Sequence, residues 1–444
     1  MAGESGSLPS LGGWGRVWRA PLTWLVLALL AYLTAAGLMY DEQSLAPHYI
    51  HLADAMLHGQ LHLLTTENLY DLLVVGDRAY VAGSPMPAIM MMPLIAIFNN
   101  EFSDVLFNVV IAALNVALVQ HLFRKPWLTL LFAVGTPHLL MAALGSVWLT
   151  AHVVAILFGL LAVEAARGRH WLWAGVWLAC AGLARPTLLF GGVFFGLLIW
   201  LVYPGRDRLR PLILFALPML LGVAAHAAYN QARFGSPLDF GYEYTAGAEN
   251  ITGTYARYSG FNPRFLPCNL FVSLANPPEV NGYVPPVLYR WCDHLLEGVD
   301  LSDRSAPVVP NPLGMSLFLV TPAFLLLFMA RRRDPQTLAA WAGVLAVMVP
   351  LWMYHNTGSL QFGYRYWMDA APFWLLLLAE NVRPVGAKGE LAPAGFLNML
   401  DRWLWQLKNP LIVASVAINV WGFLWLYKIF VGVSWLALLQ GALR

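Results

Sequence analysis

The sequence predicts an all-α polytopic membrane protein of about eleven transmembrane helices. Three observations predict it. First, 59% of the 444 residues are hydrophobic and 11% charged, against about 25% charged in a soluble domain. A soluble chain of this composition would expose apolar surface and aggregate. Second, the apolar residues come in runs of about 20, the length that crosses a bilayer core as a helix. Third, basic residues collect in alternate loops. The net charge of +2 carries no nucleic-acid signature.

Residues 1–20 are expected to form a disordered cytoplasmic N-terminus, Gly- and Ser-rich at its start. Arg16 and Arg19 precede the first apolar run, Pro21 to Tyr40. No small-x-small cleavage pattern follows it, so a retained first helix is expected. Further runs cover 103–123, 127–145, 147–166, 171–184, 186–203, 211–229, 313–330, 336–354, 361–380 and 410–428. In lipid these runs are helices, because backbone groups find partners only within the segment. Ser84 to Phe98 is also apolar, but it is short and carries Pro85, Pro87 and Pro93. It reads as a re-entrant or interfacial helix.

Charge decides that point. If 84–98 does not span, Arg16/Arg19, Arg124/Lys125, Arg167/Arg169, Arg206/Arg208/Arg210, Arg331/Arg332/Arg333 and Arg383/Lys388 all fall on one side. Basic loops face the cytoplasm, so the N-terminus is expected inside, in a bacterial inner membrane. Two long segments, 41–102 and 230–312, then face the periplasm or exterior and are expected to carry juxtamembrane helices. Residues 381–409 form a cytoplasmic connector with an amphipathic stretch from Leu397 that is expected to lie on the membrane surface. Residues 410–444 supply the last helix and a tail.

Candidate chemistry gathers on the outer side. Asp41 and Glu42 follow the first helix directly. A carboxylate there could take the proton of an attacking hydroxyl; structurally it could instead cap a helix or bind loop amides. Pro47 suits a helix start. His51, Asp54 and His58 then share one helix face, with His48 one turn earlier. These residue types ligate metals, so a divalent cation is one reading; a polar face at the headgroup boundary is the other. Asp71 and the turn Gly76-Asp77-Arg78 follow, with short strands expected on either side of the turn.

The second outer segment opens Tyr229-Asn230 and continues through Arg233-Phe234-Gly235-Ser236-Pro237 to Tyr242. Its aromatics suit sugar rings or an interfacial loop equally. Cys268 and Cys292 both lie in it, on the oxidising side, and a disulfide is expected. Arg185, before Pro186, and Arg365, before Tyr366, stand near outer helix ends. An arginine at membrane depth needs a partner or a task. A clamp on a lipid-linked phosphate is one task; an ion pair with Asp41, Glu42 or Asp369, or snorkelling to the interface, is the alternative.

Taken together these features resemble the GT-C glycosyltransferases. The acids Asp41-Glu42 after helix one, the proline-rich Ser84–Pro93 segment, Asn230–Pro237 and Phe362–Tyr366 carry the likeness, over roughly 20–380. The segment from Pro47 is most similar to uncharacterised bacterial relatives of the protein mannosyltransferase and aminoarabinose transferase type. The resemblance implies a GT-C-like core over 21–380 and an inverting transfer of sugar from a polyprenyl-phosphate donor at the outer leaflet. The acceptor would be an envelope lipid, glycan or protein. It implies Asp41 as general base, with Glu42 and Asp54 as alternatives, and Arg365 and Arg185 on the donor phosphate. His51, Asp54, His58, Tyr242 and Tyr366 would contact donor or acceptor. Membrane lipids are the other expected partners. A transporter or lipid flippase, or a non-catalytic partner that keeps the fold, are the competing readings.

Overall fold

In a computed structural model the described residues are 17–65, 70–246, 249–296, 306–358, 361–383 and 396–432. Most of the expected N-terminal segment, part of the 381–409 connector and the end of the tail lie outside them. Helices dominate, as lipid requires. The first is α1, Pro21–Ala36. The first outer segment holds α2 (His48–Leu57), the hairpin β1 (Leu72–Val75) and β2 (Arg78–Val81), and α3 (Met86–Phe98). The core continues through α4 (Asp104–Phe123), α5 (Pro126–Val134), α6 (His138–Leu144), α7 (Val147–Arg167), α8 (Trp171–Ala184), α9 (Gly192–Val202) and α10 (Leu209–Phe234). The second outer segment carries α11 (Glu249–Tyr258), α12 (Leu266–Leu274) and α13 (Pro286–Trp291). The chain closes with α14 (Pro335–Trp352), α15 (Ala371–Asn381) and α16 (Phe396–Val431).

Among the described residues five helices are long and apolar enough to cross a bilayer, or six with α5 and α6 taken as one span bent by 54°. Gly135-Thr136-Pro137 causes the bend, since Pro137 leaves a carbonyl without its helical partner. The other expected spans form shorter helices, some extended by 3-10 turns such as Pro186–Gly191 and Pro322–Met329. Helix length alone therefore supports fewer spans than the eleven apolar runs suggest. The 13-residue α3, with Pro93 inside it, would reach only about 20 Å, short of the ~30 Å hydrocarbon core. The amphipathic stretch from Leu397 is not separate from the last helix: both are parts of the 36-residue α16.

The basic ends meet at one end of the bundle. Lys125 donates to the Ala379 carbonyl, Arg167 to that of Leu122, and Arg331 pairs with Asp401 at 2.6 Å. Both long loops pack at the other end, where the hairpin is held by the second segment. Leu73 bridges to Thr245, and the amides of Asp71 and Ala246 donate to the carbonyls of Ala246 and Leu72 at 3.1 and 2.8 Å. A disulfide joins Cys268 in α12 to Cys292 after α13, with Cα atoms 5.0 Å apart.

Candidate active site

The loop end of the bundle encloses a cavity of about 680 Å³. Its walls come from α2, the loop around Asp71, the start of α7, the ends of α8 and α10, the segment 354–366 and the end of α16. Among the described residues that line it, Asp71 is the one carboxylate. Asp71 has a left-handed backbone (φ 60°), which Asp tolerates better than most residues, and this turns the chain into β1. The docked hairpin holds that geometry. The Trp148 indole donates to the Asp71 carboxylate, and Tyr70 packs edge-on against Trp148. Burial pushes the Asp71 carboxyl above its usual range; Trp148 and the field of Arg365 pull it partly back.

Arg365 lines the same cavity. Its Nη1 donates to the Gly358 carbonyl at 2.6 Å, and its backbone amide donates to Gln361 Oε1 at 3.1 Å. Gln361 is itself tied to the carbonyls of Leu313 and Thr357. The Arg365 Nε has no partner, and no ion pair to Arg365 forms among the described residues. Gly358 has φ +92°, and a Cβ there would lie 3.0 Å from the guanidinium carbon of Arg365. Arg365 and Arg185 both approach the ring of Tyr366, at 5.4 and 5.3 Å.

Arg185 also lines the cavity, but it is paired. Its Nε and Nη2 donate to Asp369 Oδ2 at 3.1 and 2.9 Å, and Thr187 donates to the same oxygen at 2.9 Å. His152 Nδ1 lies 2.5 Å from the other oxygen, Oδ1. Of the readings open to Arg185, the structure shows the ion pair with Asp369. Removing a buried partner leaves charge uncompensated. Asp369→Ala is expected to lower stability by about 3–5 kcal/mol, read by thermal unfolding in detergent.

Asp41 and Glu42 do not line this cavity; both are exposed. The reason is local. After α1 the chain turns through Gly37–Met39 and is stitched to the segment before α4. Ser103 Oγ donates to the Glu42 carbonyl at 2.6 Å, Gln43 donates to the carbonyls of Asn100 and Phe102, and Ser44 binds Asp104. That stitching leaves the two acid side chains facing outward. Asp41 and Glu42 therefore form no ion pair with Arg365 among the described residues, and the carboxylate that shares the cavity with Arg365 is Asp71.

His51, Asp54 and His58 share the face of α2 opposite its buried residues. Asp54 accepts from Asn100 at 2.8 Å, and His58 Nδ1 lies 3.3 Å from the Asp54 carboxylate with its side chain 63% exposed. None of the three lines the cavity. Among the described residues no group of three or more His, Cys, Asp or Glu side chains is placed to hold a metal. Tyr242 and Tyr366 do line the cavity.

The structure adds Tyr49, Trp148, His226, Arg233 and His355 to the walls. Arg233 stood in a motif singled out from the sequence, but nothing in the sequence turned it inward. His355, whose ring nitrogens have no partners among the described residues, is held by burial well below the usual imidazole range, at about 4, so it is neutral at pH 7. Gly83 leaves room for Tyr49: a Cβ there would lie 2.1 Å from the Tyr49 hydroxyl. Gly83→Ala is expected to push Tyr49 out of its place, cost about 1–3 kcal/mol in thermal unfolding, and reduce ligand binding in the cavity.

No protein-family model and no curated protein sequence matches the chain. Similar solved structures include ArnT from Cupriavidus metallidurans bound to undecaprenyl phosphate, with 12% identity and a TM-score of 0.50 over 92% of this chain and 78% of that one. The oligosaccharyltransferase of Archaeoglobus fulgidus in its apo form has 14% identity and a TM-score of 0.48 over 92% of this chain. The archaeal AglB with an inhibitory peptide and a dolichol-phosphate has 14% identity and a TM-score of 0.46. The chain spans 57% and 56% of those two archaeal chains. At such identities the likeness, carried by ArnT, speaks for fold. The chain is an integral membrane protein with a GT-C fold.

Proposed function

We propose that the protein is a membrane glycosyltransferase that moves a sugar from a polyprenyl-phosphate donor to an acceptor hydroxyl at the outer leaflet. One observation carries this reading: Asp71 and Arg365 face one cavity at the loop end of the bundle, electrostatically coupled but not paired. Transfer needs both. Asp71 takes the proton of the acceptor hydroxyl as its oxygen attacks the anomeric carbon. The bond from that carbon to the phosphate oxygen breaks, and the electron pair leaves with the polyprenyl phosphate. Arg365 stabilises the charge gained there. Arg185, turned toward Tyr366 and anchored by Asp369, lends its remaining N–H donor to the same wall, its charge largely offset by that carboxylate. Attack opposite the leaving group inverts the anomeric centre.

Three apolar residues near the end of α16, Leu426, Ile429 and Phe430, also line the cavity, and Phe430 packs edge-on to Trp148. That wall suits a prenyl chain entering from lipid. The fold likeness to ArnT, whose structure holds undecaprenyl phosphate, supports the donor class. The clustering of basic ends opposite the cavity supports a cytoplasmic N-terminus and an outward site. The test is transfer by purified protein with radiolabelled polyprenyl-phosphate sugars and envelope glycolipid acceptors. Transfer is expected with at least one donor. Failure of every donor to bind to folded protein would overturn the reading, and lipid or solute flux without transfer would replace it.

A further inference from the structure

Among the described residues, four buried polar atoms in or just behind one wall of the cavity have no partner: Tyr49 Oη, Tyr229 Oη, His226 Nδ1 and Arg233 Nε. Their residues are 2%, 8%, 6% and 6% exposed. Tyr49 comes from α2; the other three come from the last turns of α10. Tyr49, His226 and Arg233 line the cavity. The Arg233 guanidinium lies 3.8 Å from the Tyr229 ring centre and 4.5 Å from that of Phe234. Its two terminal nitrogens donate to neutral acceptors, the Val81 carbonyl at 2.8 Å and Asn230 Oδ1 at 2.9 Å. No carboxylate pairs with it among the described residues. A buried cation without an anion, beside three orphaned polar groups, is costly unless a ligand completes it.

We propose that this wall is an anion subsite for the acceptor: Arg233, flanked by Tyr49 and His226, holds a phosphate or carboxylate on the molecule that receives the sugar. The inference rests on the transferase reading. The two cationic walls are built from different elements, and only one adjoins the apolar end of α16. Trp148 bonds Asp71 and packs against Phe430, so a prenyl phosphate entering there meets Arg365. Arg233 is reached instead from α2, α10 and β2. Two anions repel in a low-dielectric cavity, so each needs its own cation. The base and the second clamp also share one hairpin. Asp71 leads into β1, and Val81, which ends β2, anchors Arg233. An acceptor gripped at Arg233 is thereby indexed to the carboxylate that takes its proton.

The protein in phosphatidylcholine nanodiscs would be titrated calorimetrically with glycerol 3-phosphate, glucuronate and glucose, with and without saturating undecaprenyl phosphate. One of the two anions is expected to bind more tightly than glucose, and which one does so assigns phosphate or carboxylate. Binding should persist with undecaprenyl phosphate present, weaken about tenfold or more in Arg233→Gln, and survive in Arg365→Gln. Tyr49→Phe removes a hydroxyl that has no partner among the described residues, so it should leave the melting temperature unchanged and still weaken the anion several-fold. It reads the subsite even if Arg233→Gln fails to fold. Anions that bind no better than glucose, that compete with undecaprenyl phosphate, or that bind Tyr49→Phe and folded Arg233→Gln at full affinity would overturn the subsite. Arg233-dependent anion binding in a protein that binds no undecaprenyl phosphate would leave the subsite standing and sink the transferase reading.

Discussion

Asp71→Asn is expected to lower transfer by about 10²–10⁴-fold while leaving donor binding intact. The substitution is nearly isosteric, and Asn can still accept from the Trp148 indole. What it cannot do is take a proton. The same variant is expected to be more stable than the wild type at neutral pH. Burial raises the Asp71 carboxyl above its ordinary value, so the fold holds that proton more tightly than the unfolded chain does. The resulting stabilisation is complete below the ordinary carboxylate range and is lost as pH rises through the folded value. At pH 7, above the ordinary carboxylate range, the raised carboxyl is a net cost to the fold, which Asn removes. The gain in melting temperature should therefore shrink as pH falls toward 4. Wild-type transfer should fall over the same window as Asp71 takes up its proton, with the half-point above the usual carboxylate range. Wild-type transfer rates in Asp71→Asn would remove it as the base, and parallel variants of Asp41, Glu42 and Asp54 would then name another.

Arg365→Gln is expected to cost about 10²–10³-fold in kcat and to weaken undecaprenyl phosphate binding. The guanidinium is held by Gly358 and framed by Gln361, yet its charge is not neutralised by a carboxylate. That is the arrangement a leaving phosphate needs: a fixed cation that does not have to break an ion pair first. Arg365→Lys should recover charge but not the fork of donors, and so only part of the activity. Arg185→Gln is expected to act differently. Arg185 already spends two donors on Asp369, so its loss should disturb the His152–Asp369–Thr187 cluster and appear in stability as well as in rate. Equal loss of kcat in Arg365→Gln and Arg185→Gln, with unchanged stability in both, would argue against this division of labour. Unaltered kcat and phosphate affinity in Arg365→Gln would remove it from the mechanism.

Much of the architecture was legible in the sequence because lipid leaves the chain few choices. An apolar run in a bilayer is a helix, and the prolines of 84–98 weaken the case for a span there. The start of α2 at Pro47-His48 and the turn at Gly76-Asp77 are local features, written in neighbouring residues. Arg365 stood out by itself, because an arginine in an apolar setting needs a reason. The bend at Gly135–Pro137 and the fusion of the amphipathic stretch into α16 were less legible. Both depend on how a segment continues through its neighbours, not on its composition.

The site divides the same way. Composition and charge alternation determined that the chain is a polytopic helical protein whose polar loops gather on one side. They did not determine which acid enters the cavity. Asp41 and Glu42 have the more telling position in the sequence, yet hydrogen bonds from Ser103, Gln43 and Ser44 stitch their segment to 99–104 and leave them outside. Asp71 sits in an unremarkable stretch and becomes the cavity's carboxylate because Thr245 and Ala246, distant in sequence, pin its hairpin in place. Arg185 was paired by Asp369, and Arg233 was held inward by Val81, through contacts equally remote, with its helical neighbour Asn230 adding a local bond. Helix formation in lipid is satisfied within one segment and can be read from it. The direction of a loop side chain is set by partners from other segments, and only the tertiary structure brings those together.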